Sequence, residues 1–233
     1  MPVAYAYPAD MRATRDLMRR RLLFVRQRGS LLAHIQITHH QYNVDPPGKR
    51  ITYRSNREGL GEGFEDSSVR HSIAADLALA DHYEVTIGEL ELAVLRQARI
   101  HDPNALALLT SVPGIGKVLA LTILYEIHDI ARFPSVRDFA SYSRLVKCER
   151  TSAGKSLGSG GNKIGNAYLK WAFSEAAVLF IAKSELGRTI LTRLERKYGK
   201  PKALSVLAHK LGRAVYYMLA RKQAFDPQRF ATS

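Results

Sequence analysis

The 233 residues include 35 Lys and Arg against 21 Asp and Glu, a formal charge of +14, with 46% hydrophobic residues. That length can bury a real core in one large or two small domains, and the apolar share excludes a disordered basic tail. The single Cys148 excludes an intramolecular disulfide and a cysteine-rich zinc site, and the apolar runs VLALTILYEI and AAVLFIA are too short to span a bilayer.

The first thirty residues are charged throughout and match no signal peptide, so a reducing cytoplasm is the expected location. Asp10 is a fitting N-cap for a helix over 10–37, where Leu17, Leu22, Val25, Leu32 and Ile35 recur between arginines. His39 and His40 read as an exposed helix end, because no second cluster at ligand spacing supports a metal pair. Residues 43–64, with paired prolines and scattered glycines, read as a long connection. Helical periodicity returns over 67–100 through Ile73, Leu77, Leu79, Val85, Leu92 and Leu95, with Gly88 a possible bend. Residues 1–61 carry a net +7 and residues 62–100 a net −5, so opposite charge favours pairing of the two helices.

From Asn104 onward the pattern is helix, short turn, helix, then a Pro-punctuated turn and a further helix. A glycine- and serine-rich stretch follows, and helices over 162–182, 184–198 and 201–222 complete the chain. The fold expected is mainly α: a helical arm with its long loop over 1–103, then a compact all-helical domain over 104–233. Residues 137–222 hold a net +13, which points to a polyanion partner, most simply nucleic acid; a solvated basic surface is the plainer alternative.

Two places can carry chemistry. In SVPGIGKVLA, residues 111–120, Gly114 and Gly116 flank Ile115 in a turn like that of helix-hairpin-helix DNA-binding modules. Glycine amides and a helix N-terminus suit a phosphate there, and Lys117 adds a full charge; the same turn also serves simply to reverse two helices. The second place is TSAGKSLGSGG, residues 151–161. Its Gly154-Lys155-Ser156 triplet is not the end of a P-loop, since that motif needs a glycine where Glu149 stands. It reads instead as a glycine-loosened loop ringed by Arg150, Lys155 and Lys163. A serine there attacks a phosphodiester only if neighbours take its proton and stabilise the phosphoryl oxygens. The plainer alternative is a tether whose serines merely hydrogen-bond phosphates.

The ordered series PGIG, EIHDIARF, a serine among small residues, then NKIGNAYLK resembles the C-terminal domain of the DEDD/serine, Piv-like insertion-sequence transposases. The likeness covers roughly residues 105–182, with a weaker echo in LAHKLGRAVYYMLARKQAFDP and in YPADMRATRDLMRRRLLFVRQR. It implies DNA strand exchange at insertion-sequence ends, with a serine transiently joined to DNA. It places that serine at Ser152, with Ser156 and Ser159 as competitors; Ala153 stands where the family commonly has glycine. Phosphate contacts are expected from Arg150, Lys155, Lys163 and Lys170, and a backbone hydrogen bond from Asn166, while Trp171 is expected in the core.

Compared with the family pattern, Asp10, Asp16, Asp45 and Glu58 do not reproduce the acidic quartet of its RuvC-like domain. The expectation is therefore a truncated copy that binds no cofactor itself, magnesium belonging to the missing N-terminal domain. Expected partners are DNA ends and target, a guide RNA as in some members, and further copies of the chain through the arm, with no membrane. The alternative is a remnant that binds DNA or RNA without catalysis.

Overall fold

The computed structural model describes residues 5–146, 148–152, 155–160 and 165–232, the two segments between 148 and 160 by backbone only. The chain divides into two compact units, one formed by Asp16–Val94 and the other by Met1–Arg15 with Leu95–Ser233. Helix α1 spans Ala9–Gln41 and α2 spans Ser67–His101, so each contributes residues to both units. Helix α2 runs unbroken through Gly88.

In the smaller unit the basic helix and the acidic helix pair antiparallel within one chain. Arg21 meets Glu91 at 2.5 Å, Arg28 meets Glu84 at 3.9 Å and His34 meets Asp76 at 2.6 Å. Ile73, Ala80, Ile87 and Val94 are the buried seam of α2, spaced at heptad intervals. Leu79, Val85 and Leu92, expected in that seam from hydrophobicity alone, are instead 50%, 54% and 56% exposed. The partner helix covers one narrow stripe, and these side chains lie off it. His39 is a second departure: it is buried, with its ring edge-on to Phe64.

The connection between α1 and α2 is organised around Arg57, whose side chain is buried. Its guanidinium donates to the Ile51 carbonyl at 2.8 Å, the Thr52 carbonyl at 3.0 Å and Glu84 at 2.9 Å, and pairs with Asp81. Four acceptors offset the desolvation that a buried cation incurs. Ile51 and Phe64 from the same connection complete a core with Leu32, Ile35 and Ile73.

The larger unit is built around α4, Lys117–Ile127, which is buried from Leu119 to its end. Helix α3, Pro103–Thr110, and α6, Ala167–Lys183, pack on it, and α8, Lys200–Arg221, packs on α6 and α3. Helices α5, Val136–Tyr142, and α7, Glu185–Tyr198, pack on α8, and the short α9, Pro227–Thr232, lies against α7. Tyr7 donates to the Tyr125 carbonyl at 2.8 Å, tying the start of the chain to α4, and burial pushes the Tyr125 hydroxyl up to about 12. The mainly helical architecture is therefore as expected. One stretch departs from helix: β1, Cys148–Ser152, pairs antiparallel with β2, Lys155–Gly160.

Candidate nucleic-acid interface

The turn between α3 and α4 follows from its glycines. Gly114 has φ +93°, and a Cβ there would stand 2.5 Å from the Phe180 nitrogen. Only glycine lets the turn seat directly on the backbone of α6. Ile115 is buried beneath it. Gly116 differs: it is exposed, with open space around it, and is the N-cap residue of α4 with no side-chain cap. Lys117 is exposed in the first turn. So Gly114 serves packing, whereas Gly116 and Lys117 present a helix N-terminus whose leading amides lack partners within the helix.

The stretch read as a loose loop is a hairpin at the other end of α6. Its register sets Ser152 opposite Lys155, Thr151 opposite Ser156 and Glu149 opposite Ser159, with an irregularity between Glu149 and Thr151 at Arg150. Ser152 and Lys155 therefore occupy the last paired position before the turn. Ser159 belongs to the root, about 10 Å back along the strand at ~3.3 Å per residue. Alternation failed to signal these strands because β1, CERTS, has no apolar alternation and glycine and serine dominate β2, KSLGSG. Lys163 lies outside the described residues, as do the side chains of Arg150, Ser152 and Lys155.

Both sides of the hairpin root are clamped to helices. On the entering side Leu145 seats on Gly212 of α8. On the leaving side the Asn166 amide donates to the Tyr142 carbonyl at 2.6 Å, and Arg144 Nε donates to the Gly165 carbonyl at 3.0 Å. Gly165 has φ +101°, and a Cβ there would lie 2.6 Å from the Tyr142 oxygen.

Asn166, expected to touch a nucleic-acid backbone, is 7% exposed. Its oxygen accepts the Tyr168 and Leu169 amides at 2.9 and 3.0 Å, which caps α6. Its nitrogen donates to Glu126 at 2.7 Å and to the Tyr142 hydroxyl at 3.4 Å. The residue is thereby held at the hairpin root. The signal was present in the sequence, since Asn before a helical run is a capping pattern. Lys170 is exposed on α6 and free of that constraint, and Trp171 is half-buried.

The motif EIHDIARF is likewise structural. Glu126 meets Asn166, Asp129 caps a short 3-10 turn by accepting from the Ala131 amide at 2.8 Å, and Phe133 is buried. Arg132, absent from the expected contacts, lies over the rings of Tyr5 at 4.2 Å, Phe133 at 4.6 Å and Tyr142 at 4.6 Å. The two candidate places are thus held by one pair of helices. The span from Asn166 to Phe180 along α6 is about 21 Å at 1.5 Å per residue, so the turn and the hairpin root stand at opposite ends.

Among the described residues no group of three or more His, Cys, Asp or Glu is placed to hold a metal ion, and no helix is long and apolar enough to cross a membrane. Residues 106–191 match the model of the transposase IS116/IS110/IS902 family. The chain is 27% identical over 156 residues to a transposase for insertion sequence element IS1328 from Yersinia enterocolitica, covering 64% of this chain and 46% of that protein. It is 25% identical over 119 residues to a transposase for insertion sequence element IS1111A from Coxiella burnetii (strain RSA 493 / Nine Mile phase I), covering 49% of this chain and 33% of that protein. The matches span less than half the length of these curated relatives. They support a transposase family for this segment, and the part matched by the family model takes in the α3–α4 turn, the hairpin and its clamp at Tyr142, Gly165 and Asn166, but not Gly212 of α8.

Proposed function

We propose that this chain is the serine-bearing, DNA-engaging part of a DEDD/serine insertion-sequence transposase, and that Ser152 is its nucleophile. The observation that carries the reading is the register of the hairpin: Ser152 stands opposite Lys155 at the end of a ladder rooted in the helical frame. A serine needs a defined mount and a nearby cation to meet a phosphate; the ladder supplies the mount and Lys155, opposite in register, the cation.

The reaction exchanges one phosphodiester for another. Ser152 Oγ forms a bond to phosphorus, the bond from phosphorus to a deoxyribose oxygen breaks, and that oxygen receives a proton as the serine gives one up. Because the bond type is conserved, the step is close to reversible and can run backwards onto a second strand. Gly116 and Lys117 would hold a second phosphate, at the α3–α4 turn seated on the far end of α6. One duplex lying along α6 would reach both. Magnesium would be held by acidic residues outside those described here, in the family's nuclease-like domain.

The test is a nicked suicide substrate incubated with the full transposition system, followed by denaturing gels. Ser152→Ala should abolish the covalent protein–DNA species, while Ser156→Ala and Ser159→Ala retain it. If Ser152→Ala leaves the adduct intact, the assignment is wrong. If no variant or parent forms an adduct yet DNA is bound, the chain is a nucleic-acid-binding relative without chemistry.

A further inference from the structure

A cavity of about 1030 Å³ opens between α7, α8 and α9, away from the serine hairpin in sequence. That is at the upper end of the ~300–1,000 Å³ of pockets that enclose a small-molecule ligand. Arg193, Lys197, Arg213, Arg221 and Arg229 converge on it. None of these five forms an ion pair with a carboxylate among the described residues, unlike Arg21, Arg28, Arg54 and Arg57 of the smaller unit. The one acid in the wall, Asp226, accepts the Gln228 and Arg229 amides at 2.9 and 3.1 Å and so is spent on starting α9.

The local field is correspondingly positive. Burial and then Arg213 push His209 below its ordinary range, and burial followed by Arg193 and Arg213 lowers Lys210. Like charges gathered in a concavity repel one another, and a bound anion relieves that repulsion. A solvated basic face would spread its cations apart instead.

The cavity also has rings. Tyr198 is 42% exposed with the Lys197 ammonium 5.2 Å from its centroid, and the Arg221 guanidinium lies 4.7 Å over Tyr217. Phe225 and Phe230 pack with Phe180 behind them. Phosphate alone would account for the cations, and an apolar ligand alone for the rings. Nucleotide units need both, a ring for the base and a guanidinium for the phosphate. A duplex hides its base faces, so the strand must be single. The groove also adjoins the α3–α4 turn: the Phe225 amide donates to Ser111 Oγ at 3.0 Å.

We propose that the groove between α7, α8 and α9 binds a single-stranded nucleic-acid segment, with Tyr198 and Tyr217 stacking on bases and Arg193, Lys197, Arg213 and Arg221 taking phosphates. The site does not depend on the chemistry of Ser152, and it stands or falls separately.

Fluorescence anisotropy on the full chain tests it, with a short oligothymidylate, the matching oligouridylate, a duplex of equal length and thymidine monophosphate as probes. Tyr198→Ala should weaken single-strand binding on the order of tenfold and leave duplex binding within about twofold, since stacking is lost only where bases are open. Lys197→Glu with Arg213→Glu should weaken it further. Tyr217→Ala, half-buried, is read only if its thermal midpoint matches the parent; Tyr198→Ala decides alone otherwise. A preference for either oligonucleotide, or equal binding of both, supports the site and names the sugar it accepts. Equal losses on single strand and duplex, unchanged single-strand binding in Tyr198→Ala, or monophosphate binding as tight as the oligonucleotides would overturn it.

Discussion

Gly114 and Gly116 are one residue apart and answer to different physics. Gly114 combines a positive φ with a backbone contact to Phe180 that admits no side chain, so Gly114→Ala should cost about 2–4 kcal/mol. Gly116 has open space and an ordinary φ of −80°, and Gly116→Ala should change stability by less than ~1 kcal/mol. Denaturant midpoints of the two variants make the comparison. Equal losses would mean that the turn is not seated on α6 as described. His209 gives a pH signature. Its folded value is depressed below 6.5, so the unfolded chain takes up a proton there that the folded chain resists. Stability is therefore full above that pH and falls as pH drops through it, levelling off below the folded value. His209→Gln should flatten this part of a plot of thermal midpoint against pH. At this scale the sequence was legible where a residue's role is local. Ile115 is buried between its glycines and Asn166 caps α6 through its neighbours Tyr168 and Leu169, both local patterns, whereas the bond from Asn166 to Glu126 joins residues distant in the chain.

The helices announced themselves through their apolar period, and α1 and α2 also through complementary charge. The register between them did not. Ala80 is small enough to escape notice as a seam residue, and Leu79 beside it is large enough to attract a wrong assignment; burial depends on which stripe the partner covers. The hairpin was hidden for another reason, since residues of low strand preference can still pair when both ends are fixed by neighbouring helices. Arg57 shows how a connection without regular structure is nevertheless specified. Arg57→Met should cost about 1–3 kcal/mol, because two carboxylates and two carbonyls lose a shared donor. Amide hydrogen exchange should show the loss concentrated in residues 43–66 of the connection; protection lost evenly along the chain would count against a local keystone.

Across the whole chain, the charge is divided between a segment that neutralises itself and one that does not. The smaller unit sets arginines on carboxylates, whereas residues 137–222 keep a net +13. DNA affinity should therefore fall steeply with salt, log Kobs losing about 0.9 per phosphate for each decade of concentration. Lys117→Ala and Lys170→Ala should each reduce that slope by about one phosphate equivalent if both residues touch the backbone. A slope unchanged in both variants, measured by filter binding across a salt series, would place the contact elsewhere.

The clamps at Leu145–Gly212 and at Tyr142–Asn166 make the segment between them an exchangeable cassette. A lineage could lengthen it, rewrite it or silence it while the surrounding helices went on folding, which separates the evolution of the reaction from that of the scaffold. Excising residues 147–164 in favour of a short glycine linker should accordingly leave the melting transition near that of the parent, and under the proposed function it removes the covalent DNA species together with the hairpin's own phosphate contacts.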